Sequence, residues 1–115
     1  MDCPMAQQVS IDFGSVVDWD GFHSTFAHAF GFPEFYGCNM NAWIDCMSYV
    51  DDSNAGMSTV TIDPGDSLDI VVGGVEAAFV TCPEIVRSFF ECTAFVNQRF
   101  ITAGSLTRLR IILTS

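Results

Sequence analysis

The stretch Phe32-Pro33-Glu34-Phe35-Tyr36-Gly37-Cys38-Asn39-Met40-Asn41-Ala42-Trp43-Ile44-Asp45-Cys46-Met47-Ser48-Tyr49-Val50 reads as a turn feeding a short helix. Pro33 forbids helix for Phe32, because its ring crowds the preceding backbone, and Gly37 permits a tight bend. Asn39 is placed to cap a helix from Met40 to about Val50, its side chain accepting from a backbone N–H two or three residues on. At roughly 100° per residue that helix divides into two arcs. Met40, Trp43, Cys46, Met47 and Val50 form one and read as core. Asn41, Asp45 and Ser48 form the other, with Ile44 on its flank and Phe35, Tyr36 and Gly37 leading into it. A solvated face in an acidic chain carries several charges; this one offers one carboxylate, small polar groups, an aliphatic side chain and nearby aromatics. That mixture suits a partner surface.

Upstream, Val9-Ser10-Ile11-Asp12-Phe13 alternates with period two and stops at Gly14, which predicts a first strand preceded by a flexible terminus over 1–8. Between Asp18 and Phe30, Trp19, Phe22, Phe26 and Phe30 recur at helical spacing, with Asp18 as cap and Gly31 as stop. His23 lies beside that stripe and His28 on the polar side. Each reads as a hydrogen-bonded structural residue rather than a ligand.

Downstream, Asp51-Asp52-Ser53-Asn54-Ala55-Gly56 begins like a calcium loop, but Ala55 and Ile62 then stand where oxygen ligands are needed. Ser58 to Ile62 has strand propensity and predicts a short edge ribbon ended by Asp63-Pro64-Gly65-Asp66. Leu68 to Val72 reads as a buried strand before Gly73-Gly74, and Val75 to Val80 as a short helix. Pro83 then opens a long helix whose Ile85, Val86, Phe89, Phe90, Thr93, Val96 and Phe100 keep helical spacing up to Ala103-Gly104. A final strand runs from Leu106 to Thr114, with Leu109, Ile111 and Leu113 facing one way. The order strand, helix, helix, strand, helix, helix, strand predicts an α/β fold, a three-stranded parallel sheet joined by right-handed helical crossovers. One domain over 9–115 is expected, with a long loop at 51–67.

A chain of 115 residues holds one core, and 50% apolar content argues against disorder. Fourteen acids against four bases give a charge of −10. Neutralising phosphates takes Lys and Arg, so nucleic acid is excluded as a partner, and a basic protein is expected instead. The cysteines Cys3, Cys38, Cys46, Cys82 and Cys92 show no metal-ligand spacing and read as reduced cytosolic thiols; no metal or cofactor is expected. The N-terminus lacks the basic and apolar regions of a signal peptide, and no apolar run reaches the ~18 residues of a membrane span. A soluble, cytoplasmic protein without membrane contact is expected. No Cys-His or Ser-His-acid arrangement is readable, and Gly73-Gly74 is too short to cradle a phosphate, so the chain is not read as an enzyme.

Phe22-His23-x-x-Phe26, Phe32-Pro33-Glu34-Phe35-Tyr36-Gly37-x-Asn39, Ala42-x-x-Asp45-Cys46 and the closing Ile111-Ile112-Leu113-x-Ser115 together resemble the barstar family of intracellular ribonuclease inhibitors. The resemblance implies a barstar-like fold and an antitoxin or immunity role in which the loop and helix plug the active site of a basic barnase-type ribonuclease. By the same match Asp45 takes the place of the family's central aspartate, which occupies a phosphate site. Phe35, Gly37, Asn39, Asn41 and Ile44 take other contact positions, Ser48 shares their arc, and Glu91 or Cys92 falls at a fourth-helix glutamate. Three substitutions and one longer connection depart from the family's pattern. Asn41 replaces a second contact aspartate, Ile44 a tryptophan and Phe35 a tyrosine; the 51–67 connection is longer than the family's. These point to a re-tuned cognate enzyme. The alternatives are a barstar-fold immunity protein against a toxin that is not a ribonuclease, a homo-oligomeric scaffold using the long loop or a sheet edge, and a small enzyme using Asp45. Oligomeric state is open, with a monomer favoured.

Overall fold

A computed structural model describes residues 7–114. Strand β1 (Gln7–Asp12) starts before the predicted Val9. Gln7 and Gln8, expected in a flexible terminus, are therefore paired strand residues, and the rest of that expectation, 1–6, lies outside the described residues. Phe13 leaves the strand for a 3₁₀ turn over Phe13–Ser15, because the Asp12 carboxylate accepts from Gly14 N at 2.8 Å and bends the chain locally. Its ring still enters the core.

Helix α1 (Trp19–Phe30) has the ends its sequence dictates. Asp18 Oδ1 accepts from Gly21 N at 2.8 Å, and Gly31 closes the helix in the left-handed region at φ 66°. Phe22, Phe26 and Phe30 are buried, whereas Trp19 in the first turn is partly exposed and edge-on to Phe22. Helix α2 (Met40–Ser48) is capped by Asn39, whose Oδ1 accepts from Ala42 N at 2.8 Å. It stops short of the predicted Val50. Ser48 Oγ donates to Ile44 O at 2.6 Å and competes for that carbonyl, and Tyr49 leaves helical angles.

Strand β2 (Ser67–Gly73), helix α3 (Val75–Thr81), helix α4 (Pro83–Thr102) and strand β3 (Arg108–Leu113) follow in the predicted order. The sheet is wholly parallel in the order β1-β2-β3, with Val9, Ile70 and Ile111 in one row. Strands added in one direction by right-handed crossovers place both helical connections on the same face. There Val9, Ile11, Leu68, Ile70, Val72 and Leu109 are buried in one core with the helices. Trp43 of α2 meets Phe26 of α1 and Phe89 of α4 edge-on at 5.6 and 6.1 Å, as aromatic quadrupoles prefer. Its indole N–H has no hydrogen-bond partner among the described residues. On the opposite face Gln8, Ser10 and Arg110 are exposed. The buried carboxylate of Asp69 on that face is covered by Arg110, Nε to Oδ1 at 2.7 Å and Nη2 to Oδ2 at 3.0 Å.

Two strand expectations are corrected. Ser58 to Ile62 is not a ribbon, because its donors find carbonyls outside any sheet: Thr59 N and Val60 N reach Phe30 O at 2.9 and 3.2 Å, and Ile62 N reaches Val50 O at 2.8 Å. The Ser58 and Thr59 hydroxyls donate to the same Phe30 carbonyl at 2.8 and 3.0 Å. The last strand is Arg108–Leu113 rather than Leu106 to Thr114. Leu109, Ile111 and Leu113 do share a face, yet only Leu109 is fully buried and Leu113, at the strand's end, is 58% exposed. Before β3 the buried Thr107 hydroxyl donates to Asp51 Oδ2 at 2.8 Å and accepts from Gly65 N at 2.8 Å, tying both ends of the long loop to the sheet. Asn97 of α4 binds the Leu109 backbone twice, Nδ2 donating to its carbonyl at 2.9 Å and Oδ1 accepting from its N–H at 2.8 Å.

Candidate partner-binding site

The loop before α2 sorts its two aromatic residues in opposite directions. Tyr36 N donates to Pro33 O at 2.9 Å, closing a turn that leaves Phe35 76% exposed. Tyr36 points inward, where its hydroxyl and His23 Nδ1 share a hydrogen bond of 2.6 Å and its ring packs on Phe32 at 4.7 Å. Burial lowers the His23 pKa from its ordinary 6.5, against a weaker opposing pull from Asp20, and burial raises that of Tyr36. Both groups are uncharged at neutral pH. His23 thus has the structural role predicted for it, and His28 is exposed.

Cys38 sits at φ 52°, a left-handed conformation that costs a side-chain-bearing residue about 1–2 kcal/mol. Asn39 holds it there, since its Nδ2 donates back to Gly37 O at 3.2 Å while its Oδ1 caps α2. The side chain of Asn39, expected to touch a partner, is therefore engaged within the loop. Gly37 beside it is exposed, as is the Cys38 thiol.

On α2 the expected arc is present. Asn41 is exposed, Ile44 and Ser48 are half-buried, and the Asp45 side chain is 57% exposed. Trp43, Cys46 and Met47 are buried behind it and Met40 packs at the margin of the core. Burial, with a further contribution from Asp45, pushes the Cys46 thiol up to about 11; burial raises Cys82 and Cys92 as well. Burial thus favours the protonated thiol at all three positions.

The sequence did not reveal what α4 brings to this arc. Arg99 Nη1 lies 3.4 Å from Asp45 Oδ1 and 3.3 Å from Ser48 Oγ, with its guanidinium 5.2 Å from the centre of the Phe95 ring. Glu91, expected as the fourth-helix contact, is exposed two turns earlier, roughly 12 Å along the helix axis. Cys92, its alternative, packs against the core. The spacing of α4 places Arg99 at the rim of the buried stripe, one residue before Phe100; which element meets that rim depends on how α2 and α4 pack.

Clefts open on the surface of the described residues. One of about 560 Å³ lies between the long loop and the sheet, lined by Asp51, Asp63, Asp66 and Arg110 among others. None of the expected contact residues lines it. A second, about 380 Å³ and mostly apolar, runs along α4 past Phe95, Arg99 and Thr102. Asp45 lines neither and stands on open surface, a geometry suited to insertion into a partner's pocket. Among the described residues no helix is long and apolar enough to cross a membrane.

The profile of one protein family, described as Barstar (barnase inhibitor), matches residues 6–111. No curated protein matches the chain.

Proposed function

This chain belongs to the barstar family, whose members are inhibitors rather than enzymes, and from that premise we propose that it blocks a basic barnase-type ribonuclease by inserting Asp45 where a substrate phosphate binds. The observation that carries the reading is Asp45 itself, a solvent-facing carboxylate on a helix whose other arc is locked in the core. In this reading Asn41, Ile44 and Ser48 of α2 and Phe35 and Gly37 of the preceding loop serve as further contacts, Asn39 shapes the loop, and Glu91 of α4 is a contact outside that arc. A carboxylate placed among guanidinium groups in a desolvated pocket forms strong charge-assisted hydrogen bonds. The net charge of −10 speeds encounter with a cationic enzyme. We place this activity in the cytoplasm, as an antitoxin acting as a monomer.

The test is inhibition of RNA cleavage and direct binding across a panel of barnase-type ribonucleases, with wild type and Asp45→Ala. Wild type is expected to bind and inhibit, and the variant to lose most of its affinity. Equal binding by both would show that Asp45 is not the plug. Capture of a cognate toxin that does not cleave RNA would move the function to immunity against another activity.

A further inference from the structure

Arg99 is one of only four Lys or Arg residues in a chain with fourteen acidic ones, and the fold sets it against the one carboxylate on the outward arc of α2. Its seat has three points. Asp45 Oδ1 accepts from Nη1 at 3.4 Å, longer than the ~2.7–2.9 Å of a tight charge-assisted bond. Ser48 Oγ, whose own proton is committed to Ile44 O, turns a lone pair toward the same Nη1 at 3.3 Å. Phe95 supports the guanidinium through its ring face. Nε and Nη2 have no hydrogen-bond partner among the described residues, so one edge of the fork stays free. That edge matches a carboxylate in two-pronged geometry.

We propose that Arg99 is the specificity residue of the Asp45 surface: the site is a side-by-side carboxylate and guanidinium, and it selects a ribonuclease that sets a carboxylate against Arg99 beside the cations it sets against Asp45. The inference rests on the ribonuclease-inhibitor reading above. An enzyme whose pocket rim is entirely basic meets like charge at Arg99 as soon as Asp45 enters, and such a juxtaposition rejects partners that the overall acidity of the chain attracts. Ser48 then serves the site by seating Arg99.

The experiment measures affinity for barnase-type ribonucleases in two groups, those with only Lys, Arg and His around the active-site rim and those with an Asp or Glu among them. Arg99→Gln is expected to tighten binding to the first group by roughly tenfold or more and to weaken binding to the second by a similar factor. Arg99→Lys, which keeps the charge without the fork, is expected to restore the second group only in part. Melting temperatures taken alongside establish that each variant is folded. If Arg99→Gln shifts both groups alike or neither, while Asp45→Ala still weakens binding, the specificity role is wrong and the plug stands. If no ribonuclease binds wild type or Arg99→Gln, the inhibitor reading falls and takes this inference with it.

Discussion

Two irregular segments flank α2, and they use their polar groups in opposite ways. The segment before it, Glu34 to Asn39, is held inward by the Tyr36–His23 hydrogen bond and the Asn39 cap, and it leaves Phe35 and Gly37 facing out. The segment after it, Asp51 to Asp66, turns inward: Ser58, Thr59 and Val60 converge on one carbonyl of α1, and Asp51 and Gly65 meet on Thr107. One leaves side chains facing outward, as the proposed contact requires, and the other is internal bracing. Length and acidity alone do not tell them apart; the direction of their hydrogen bonds does.

Substitutions that separate affinity from stability test this contrast. The largest expected effect is on affinity: Asp45→Ala should cost about 2–5 kcal/mol or more of ribonuclease binding in a titration, the usual cost of truncating one partner of a desolvated charge pair, a kind of pair for which barnase–barstar is itself the standard example. The same variant should leave unfolding free energy within about 0.5 kcal/mol, because its own ion pair is exposed. A large stability loss would place Asp45 in the bracing. Thr107→Val reverses the pattern. It strands the Asp51 carboxylate and Gly65 N–H, and denaturant unfolding should show a loss of about 1–3 kcal/mol with binding retained. Gly31→Ala strikes the junction of the two segments. The left-handed backbone costs about 1–2 kcal/mol, and a Cβ there runs into Thr59, so stability falls and the long loop is displaced, visible as faster amide exchange over 58–62.

The smallest effect is a pH dependence. Burial holds the folded His23 pKa below 6.5, so as pH falls through that value the unfolded chain takes up the proton first. The contribution of neutral His23 is complete above about 6.5, declines as pH drops toward the folded pKa and levels off beneath it. His23→Gln should flatten that part of the stability profile relative to wild type in urea melts. An identical slope in both proteins would remove His23 from the account.

The sequence carried the local features of this molecule well and the distant ones poorly. Asp18, Gly31, Asn39 and Pro83 act within a turn of where they stand, so the ends they set on α1, α2 and α4 were readable, and the spacing of Phe22, Phe26, Trp43 and Phe89 marked the core directly. The Asp45 arc was visible for the same reason. Ser58 to Ile62 failed because strand propensity describes what a pleated neighbour would accept, and the donors of this segment instead meet Phe30 and Val50, far back in the chain. Arg99 failed similarly. Its partner is set by the packing of α2 on α4 across a separation of 54 residues, which no spacing within either helix encodes.

Asn97 has a consequence for the edge of the sheet. β3 is a border strand, and border strands offer unpaired backbone groups to any passing chain. By occupying both the N–H and the carbonyl of Leu109, Asn97 supplies the rung that an added strand would need there. A single amide on α4 thereby shortens the template available for strand addition to the stretch beyond Leu109, where Ile112 and Leu113 are exposed. At this border of the sheet the protection thus comes from a helix residue rather than from the strand it protects.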